Sequence, residues 1–263
     1  MVAGPKAALL ETEVEMIKSF LETGGNALLM VDPFVETNLG SIINAYGAQL
    51  DDGMVVDDTN HFGTDPSAPA VTSYNYHQIT RDVPLTFYPG ARSLSPSSPV
   101  PGVQVTPVVN TSRSSFGETT RDRIDYERGV DLPGPRTLML AANRRPLDEN
   151  DARLMEDLTR SNDGAELVKD AALVTKNSRV IIVGDSDFAT NSFFHVLGNG
   201  HLFLNAISYL SAQENLIGIQ PPLRELPRFN LTNRQMKATF IIALFLMPSL
   251  LFLIGTAVWW RQR

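Results

Sequence analysis

The residues best suited to chemistry in this chain are three aspartates and a serine: Asp32, in LLMVDP, and Asp185, Ser186 and Asp187, in VIIVGDSDF. Each group follows an aliphatic run that reads as a buried strand. Open α/β sheets bind ligands beyond the carboxyl ends of their strands, and carboxylates placed there can hold Mg²⁺ or work as an acid–base pair. The same residue types also have a purely structural use. Asp-Pro forms turns, and Asp or Ser ahead of a helix caps its free N–H groups. Asp32, Asp185, Ser186 and Asp187 are therefore either a ligand site or turn residues.

Other chemistries lack their residues. The chain has no cysteine, which removes disulfides, thiolate metal sites and a thiol nucleophile together. Its four histidines, His61, His77, His195 and His201, do not fall at zinc-site spacing. Gly4-Pro5 and Gly24-Gly25 match neither phosphate-cradling pattern, and GDSDF lacks the second glycine of a nucleophile elbow. No catalytic residue, cofactor or metal ligand is assigned. A net charge of -7 with no basic stripe argues against a nucleic-acid partner.

The elements that must position the aspartates follow from pattern. Met1-Val-Ala-Gly-Pro reads as the tail of a strand, and Leu10, Val14, Ile17 and Leu21 form one apolar helical face that stops at Gly24-Gly25. NALLMVDP is then a buried strand, Leu39–Tyr46 a short helix, and Ala48–Val56 a segment moving towards a strand. From about 57 to 135 the texture is rich in proline, with ten prolines between Pro66 and Pro135, and reads as a loop and short-strand insert. Within it VPLTFYPGARSL and GVQVTPVVNTS suggest a small antiparallel excursion. RTLMLAA and RVIIVGD are further strands, Asp151–Leu158 a short helix, and Phe188–Leu197 and His201–Ala212 helices, with Asn205 bonding a neighbouring loop. This is an α/β domain over 1–219. A chain that opens on a strand's tail is expected to be the later part of a longer protein.

The prolines of PPLRELPRFNLTNRQMK make 220–237 a linker. Phe240 to Trp260 then holds no charged residue over 21 positions, about 31 Å of helix and enough to cross a bilayer core. Trp259 and Trp260 suit the interface, Arg261 and Arg263 can reach lipid headgroups, and Pro248 predicts a mild kink. The expectation is one transmembrane helix over 238–260 and a tail at 261–263. Arg228, Arg234 and Lys237 before the span nearly balance the two arginines after it, so charge does not orient it.

The helix ending in Gly-Gly before NALLMVDP, the strand RVIIVGDSDFATNSFF, GNGHLFLNAISYLSAQENLIGI, the LTNRQ linker and the terminal WWRQR together resemble the GldG-like family, gliding-motility-associated auxiliary components of ABC-type transport systems. The resemblance covers most of the chain outside the insert. It implies a Rossmann- or flavodoxin-like layered domain, similar also to glutamine amidotransferases but without their cysteine. It further implies an extracytoplasmic domain at the inner membrane, a cytoplasmic tail at 261–263, and partnership with an ABC permease and a separate ATPase. The function expected is that of a non-enzymatic subunit whose domain binds a partner or cargo. A membrane-tethered enzyme using Asp32, Asp185 and Asp187, or a structural surface anchor, are the alternatives.

Overall fold

The computed structural model describes residues 1–120, 124–148, 151, 154–156, 173–211, 244, 248–249, 256 and 259–262. The chain divides into two compact units, Met1–Pro221 and Pro222–Arg263. In chain order the first unit holds β1 (Val2–Ala3), α1 (Glu11–Glu22), β2 (Ala27–Met30), α2 (Gly40–Ala45), β3 (Ala48–Leu50), β4 (Met54–Val56), β5 (Ala70–Val71), β6 (Thr86–Phe87), β7 (Leu94–Pro96), β8 (Val103–Asn110), β9 (Phe116–Glu118), β10 (Leu132–Pro133), β11 (Thr137–Arg144), β12 (Ser178–Val183) and α3 (Asn199–Leu210).

The main sheet runs β1-β2-β12-β11-β7-β3, with β8 also paired to β11. Strands β1, β2 and β12 are parallel, whereas β11 is antiparallel to β12 and β8 antiparallel to β11. Alternation along the strands separates two apolar layers. Leu28, Met30, Ile181 and Val183 face a cluster with Phe188, Leu202 and Ala206, while Leu29, Val31, Val180 and Ile182 face Val14, Leu21, Ile42 and Ile43. α3 thus covers one face, α1 and α2 the other. Burying each such Leu or Ile side chain stabilises the fold by about 1.5–3 kcal/mol.

α1 begins where Glu13 Oε2 accepts the Leu10 N–H at 2.9 Å, with Glu11 and Glu13 at the positive end of the helix. Its outer face leaves Met16 and Phe20 exposed. Smaller sheets, β10-β9-β4 and β5-β6, flank the main one.

Three expectations are corrected here. The fold is a mixed α/β, sheet-rich one and not a parallel Rossmann- or flavodoxin-like layer. Aliphatic runs report burial on both faces, and an antiparallel strand in the middle of a doubly covered sheet has the same composition as a parallel one. Secondly, the strands of the proline-rich insert do not all form one separate excursion: β6 pairs with β5 in a small antiparallel sheet, whereas β7 and β8 pair with β11 in the main sheet. Pro107 is accommodated where the β8–β11 register shifts.

Thirdly, the C-terminal transmembrane helix is not supported: among the described residues no helix is long and apolar enough to cross a membrane. Most of Phe240–Trp260, the linker 220–237 and Arg263 lie outside the described residues, as does much of Asp151–Leu158. An uncharged run gives the apolarity a span needs but not the continuous helix, and Pro248 removes one of its backbone donors. The helix expected over Phe188–Leu197 is a short 3-10 turn at Asp187–Ala189, followed by turns in which Leu197 takes a φ of 52°.

Candidate functional site

The parallel strands β1, β2 and β12 end in register, Ala3 opposite Met30 and Met30 opposite Val183, so the next residues of all three meet at one sheet edge. That register brings Asp32 to the Asp185-Ser186-Asp187 turn, 154 positions along the chain from Ser186. Asp32 Oδ1 accepts the Ser186 N–H at 2.7 Å, and Oδ2 accepts the Ser186 hydroxyl at 2.9 Å. Lys6, in the loop after β1, donates to Oδ2 at 2.5 Å.

Gly4 makes this approach possible. It has a φ of +56°, and a Cβ there would lie 2.2 Å from Ser186 Oγ and 2.9 Å from Asp32 Oδ2. The β1 loop therefore lies directly over the Asp32–Ser186 pair.

Asp185 is buried and points back along its own chain. Its Oδ1 accepts the Asp187 N–H at 2.7 Å and its Oδ2 the Phe188 N–H at 3.2 Å, the geometry of a capping turn. Asp187 itself is exposed. The two buried carboxyls titrate in opposite directions. For Asp32, burial works upward, but the bonds from Lys6 and Ser186 outweigh it and hold the carboxyl below its usual range. For Asp185, burial dominates and drives the carboxyl well above that range; the N–H of Asp187 offsets part of the rise, and the charges of Asp187 and Asp32 add to it.

The neighbouring strand ends carry a second polar cluster that sequence reasoning missed. Asp51 pairs with Arg136 and accepts the hydroxyls of Ser93 at 2.7 Å and Ser95 at 3.0 Å. Arg92 donates to Asp51 O through Nε and Nη2, and through Nη1 to Asp32 O at 3.3 Å, joining both clusters. The Arg92 N–H also reaches Gly184 O at 2.7 Å, and a Cβ on Gly184 would lie 1.9 Å from Arg92 O. Residues 51, 92 and 136 are too far apart in sequence for any local motif to join them. Asn199 was missed too: it exchanges hydrogen bonds with the Phe87 backbone and donates to Phe188 O. Asn205, expected to bond a neighbouring loop, donates to Ile79 O and Arg81 O.

The sheet edge thus gathers Asp32, Asp185 and Ser186, with Asp187 beside them at the surface. Each oxygen of both buried carboxyl groups accepts at least one hydrogen bond, from Lys6, Ser186 or a backbone N–H. Among the described residues no group of three or more His, Asp or Glu has the spacing to hold a metal ion. In the C-terminal unit Trp259, Trp260 and Arg261 are exposed.

No curated protein matches the chain. Among solved structures, one titled "mmIFT52 N-terminal domain" is similar with a TM-score of 0.53 at 16% identity, over 80% of this chain and 75% of the other. At that identity the likeness carries the fold alone, a mixed α/β domain. Residues 1–206 match the model of a family described as an ABC-type uncharacterized transport system, and the chain belongs to that family of auxiliary components of ABC-type transport systems.

Proposed function

We propose that this chain is a non-enzymatic, GldG-like subunit of an ABC-type transport system, serving gliding motility or another cell-surface process. Its α/β domain works outside the cytoplasm at the inner membrane and binds a partner or cargo beside an ABC permease and a separate ATPase. The family match over 1–206 supports the transport context. The observation that carries the non-enzymatic reading is the engagement of Asp32 and Asp185 by Ser186, Lys6 and backbone N–H groups, which ties strand ends together. Exposed Trp259 and Trp260 beside Arg261 suit contact with lipid headgroups.

Gentle detergent extraction followed by affinity purification tests the assignment. The expected result is co-purification of a multi-span permease and an ABC ATPase in fixed ratio. Recovery of the chain alone under the same conditions would sink the proposal. The opposed titration of Asp32 and Asp185 is the observation that favours a membrane-tethered enzyme, since acid–base pairs are built from such splits. That reading requires Asp185→Asn to abolish function while the melting temperature stays unchanged; a variant that only melts earlier removes it.

A further inference from the structure

Where β11 ends and β12 begins, at the far end of the strands from Asp32, an open cleft of about 750 Å³ has the volume of a small-molecule site. A row of three cleft-lining side chains shares one face of the sheet, because Asn143 of β11 stands opposite Gln104 of β8 on one side and Arg179 of β12 on the other. It is the face that α3 covers, since Tyr209 of that helix donates its hydroxyl to Asn143 Oδ1 at 2.7 Å. The His77 ring meets the Tyr209 ring edge-on, with centroids 5.0 Å apart, which brings the loop before Gln78 to the same wall.

The charges around the cleft are already answered. Arg145 pairs with Asp148 and Asp151. Arg179 donates to Tyr209 O at 2.9 Å and holds its guanidinium carbon 4.6 Å from the centre of the Tyr209 ring. Arg144 also borders the cleft, but its guanidinium is turned to the other face of the sheet, 5.4 Å from the centre of the Tyr46 ring. Burial, and then the Arg179 charge, hold the His77 imidazole below its usual range, so the ring is neutral at neutral pH. The groups left to meet a ligand are uncharged: the exposed amides of Gln104 and Asn177, the Asn143 Nδ2, which has no partner among the described residues, and Tyr76 at the rim.

Tyr76 is the anomaly among these. A tyrosine ordinarily buries its ring and bonds its hydroxyl, yet this one is 99% exposed. Its loop is not loose. On one side the Tyr74 hydroxyl donates to Pro84 O at 2.6 Å, and Asn75 Nδ2 donates to Pro107 O at 2.8 Å. On the other the His77 N–H donates to Thr80 Oγ1 at 3.2 Å, while the Thr80 hydroxyl reaches Asn75 O at 2.8 Å. A bare aromatic ring on a pinned loop meets a ligand with little ordering cost.

We propose that this cleft binds an uncharged glycan, with one sugar ring stacked on Tyr76 and hydroxyls bonded to the amides of Gln104, Asn143 and Asn177. A side-chain amide carries both donors and an acceptor, which matches a hydroxyl that does both. The C–H face of a sugar ring is apolar and suits the face of an aromatic one. An oxyanion would call for a free guanidinium, and an extended peptide gains its affinity from a free strand edge rather than from side chains standing up from a sheet face. The proposal rests on the cleft alone, so a failure of the transport assignment leaves it standing.

Titration calorimetry of the 263-residue chain tests it with three uncharged tetrasaccharides, cellotetraose, maltotetraose and chitotetraose. End-capped tetra-alanine and inorganic phosphate represent the competing chemistries. Saturable one-to-one binding of at least one tetrasaccharide is expected, and of neither competitor. Tyr76→Ala removes a ring that packs on nothing, so it is expected to keep the native melting temperature while weakening that binding at least about tenfold. Tyr76→Phe keeps the ring and is expected to bind like the native chain. Failure of all three tetrasaccharides to saturate up to about 10 mM overturns the proposal. So does unchanged affinity in Tyr76→Ala, or tighter binding of tetra-alanine or phosphate than of any of the sugars.

Discussion

Asp32 and Asp185 sit at one sheet edge yet respond to pH in opposite senses. Asp32 is held low in the fold and titrates normally in the unfolded chain, so its stabilising contribution is full above the ordinary carboxylate range and is lost as pH falls through its folded value. Asp185 is pushed up, so its contribution is present in acid and declines as pH rises from the ordinary carboxylate range towards its raised value. Thermal melts of Asp32→Asn and Asp185→Asn across pH should therefore diverge. The gap between native and Asp32→Asn is expected to widen with rising pH, and the gap for Asp185→Asn to narrow; parallel curves would show the assignment of the two shifts to be wrong. At neutral pH Asp32→Asn should cost about 1–3 kcal/mol, because its amide cannot accept at both positions that Ser186 and Lys6 now fill. Lys6, itself largely exposed, contributes less to that figure than Ser186 does.

At the scale of elements, the turn after β12 is held by contact with the segment leading into β7. Gly184 and Arg92 approach so closely that any side chain on Gly184 strikes the Arg92 carbonyl, a backbone atom with no freedom to move aside. Gly184→Ala is expected to lose at least about 3 kcal/mol, at the upper end of overpacking, read as an earlier denaturant midpoint. The strands ending at Met30 and Val183 were legible because four or more aliphatic residues in a row leave few other options, and Gly24-Gly25 marked the end of α1. The direction of β11 was not legible, since Leu138 to Ala142 are buried whichever way the strand runs. Nor was the pairing of Val103–Asn110 with β11, because prolines around it gave that region the texture of a loop. At the candidate site, the aspartates could be picked out by type and position, but their partners could not: Lys6, Gly4 and Arg92 reach them only through strand register.

At the scale of the whole molecule, the sheet is most secure where both faces are covered. Amide hydrogen exchange is expected to be slowest in β2, β11 and β12, which lie between α1 and α2 on one side and α3 on the other, and much faster in 57–67 and 124–130. Uniform protection across these segments would contradict the layered core. The pairing of β2 with β12 has a further consequence, for the order in which the chain is made. Ala27–Met30 is synthesised early, but the partner it needs, Val180–Val183, follows more than 150 residues later. At 5–20 residues per second that is roughly 8–30 s during which one edge of an entirely apolar strand has nothing to pair with. Contacts this distant in sequence also slow folding after release. The nascent chain is thus exposed to mispairing and to capture by chaperones for as long as β12 remains unmade, and heterologous production should gain more soluble protein from slowed translation together with added chaperone than from a stronger promoter.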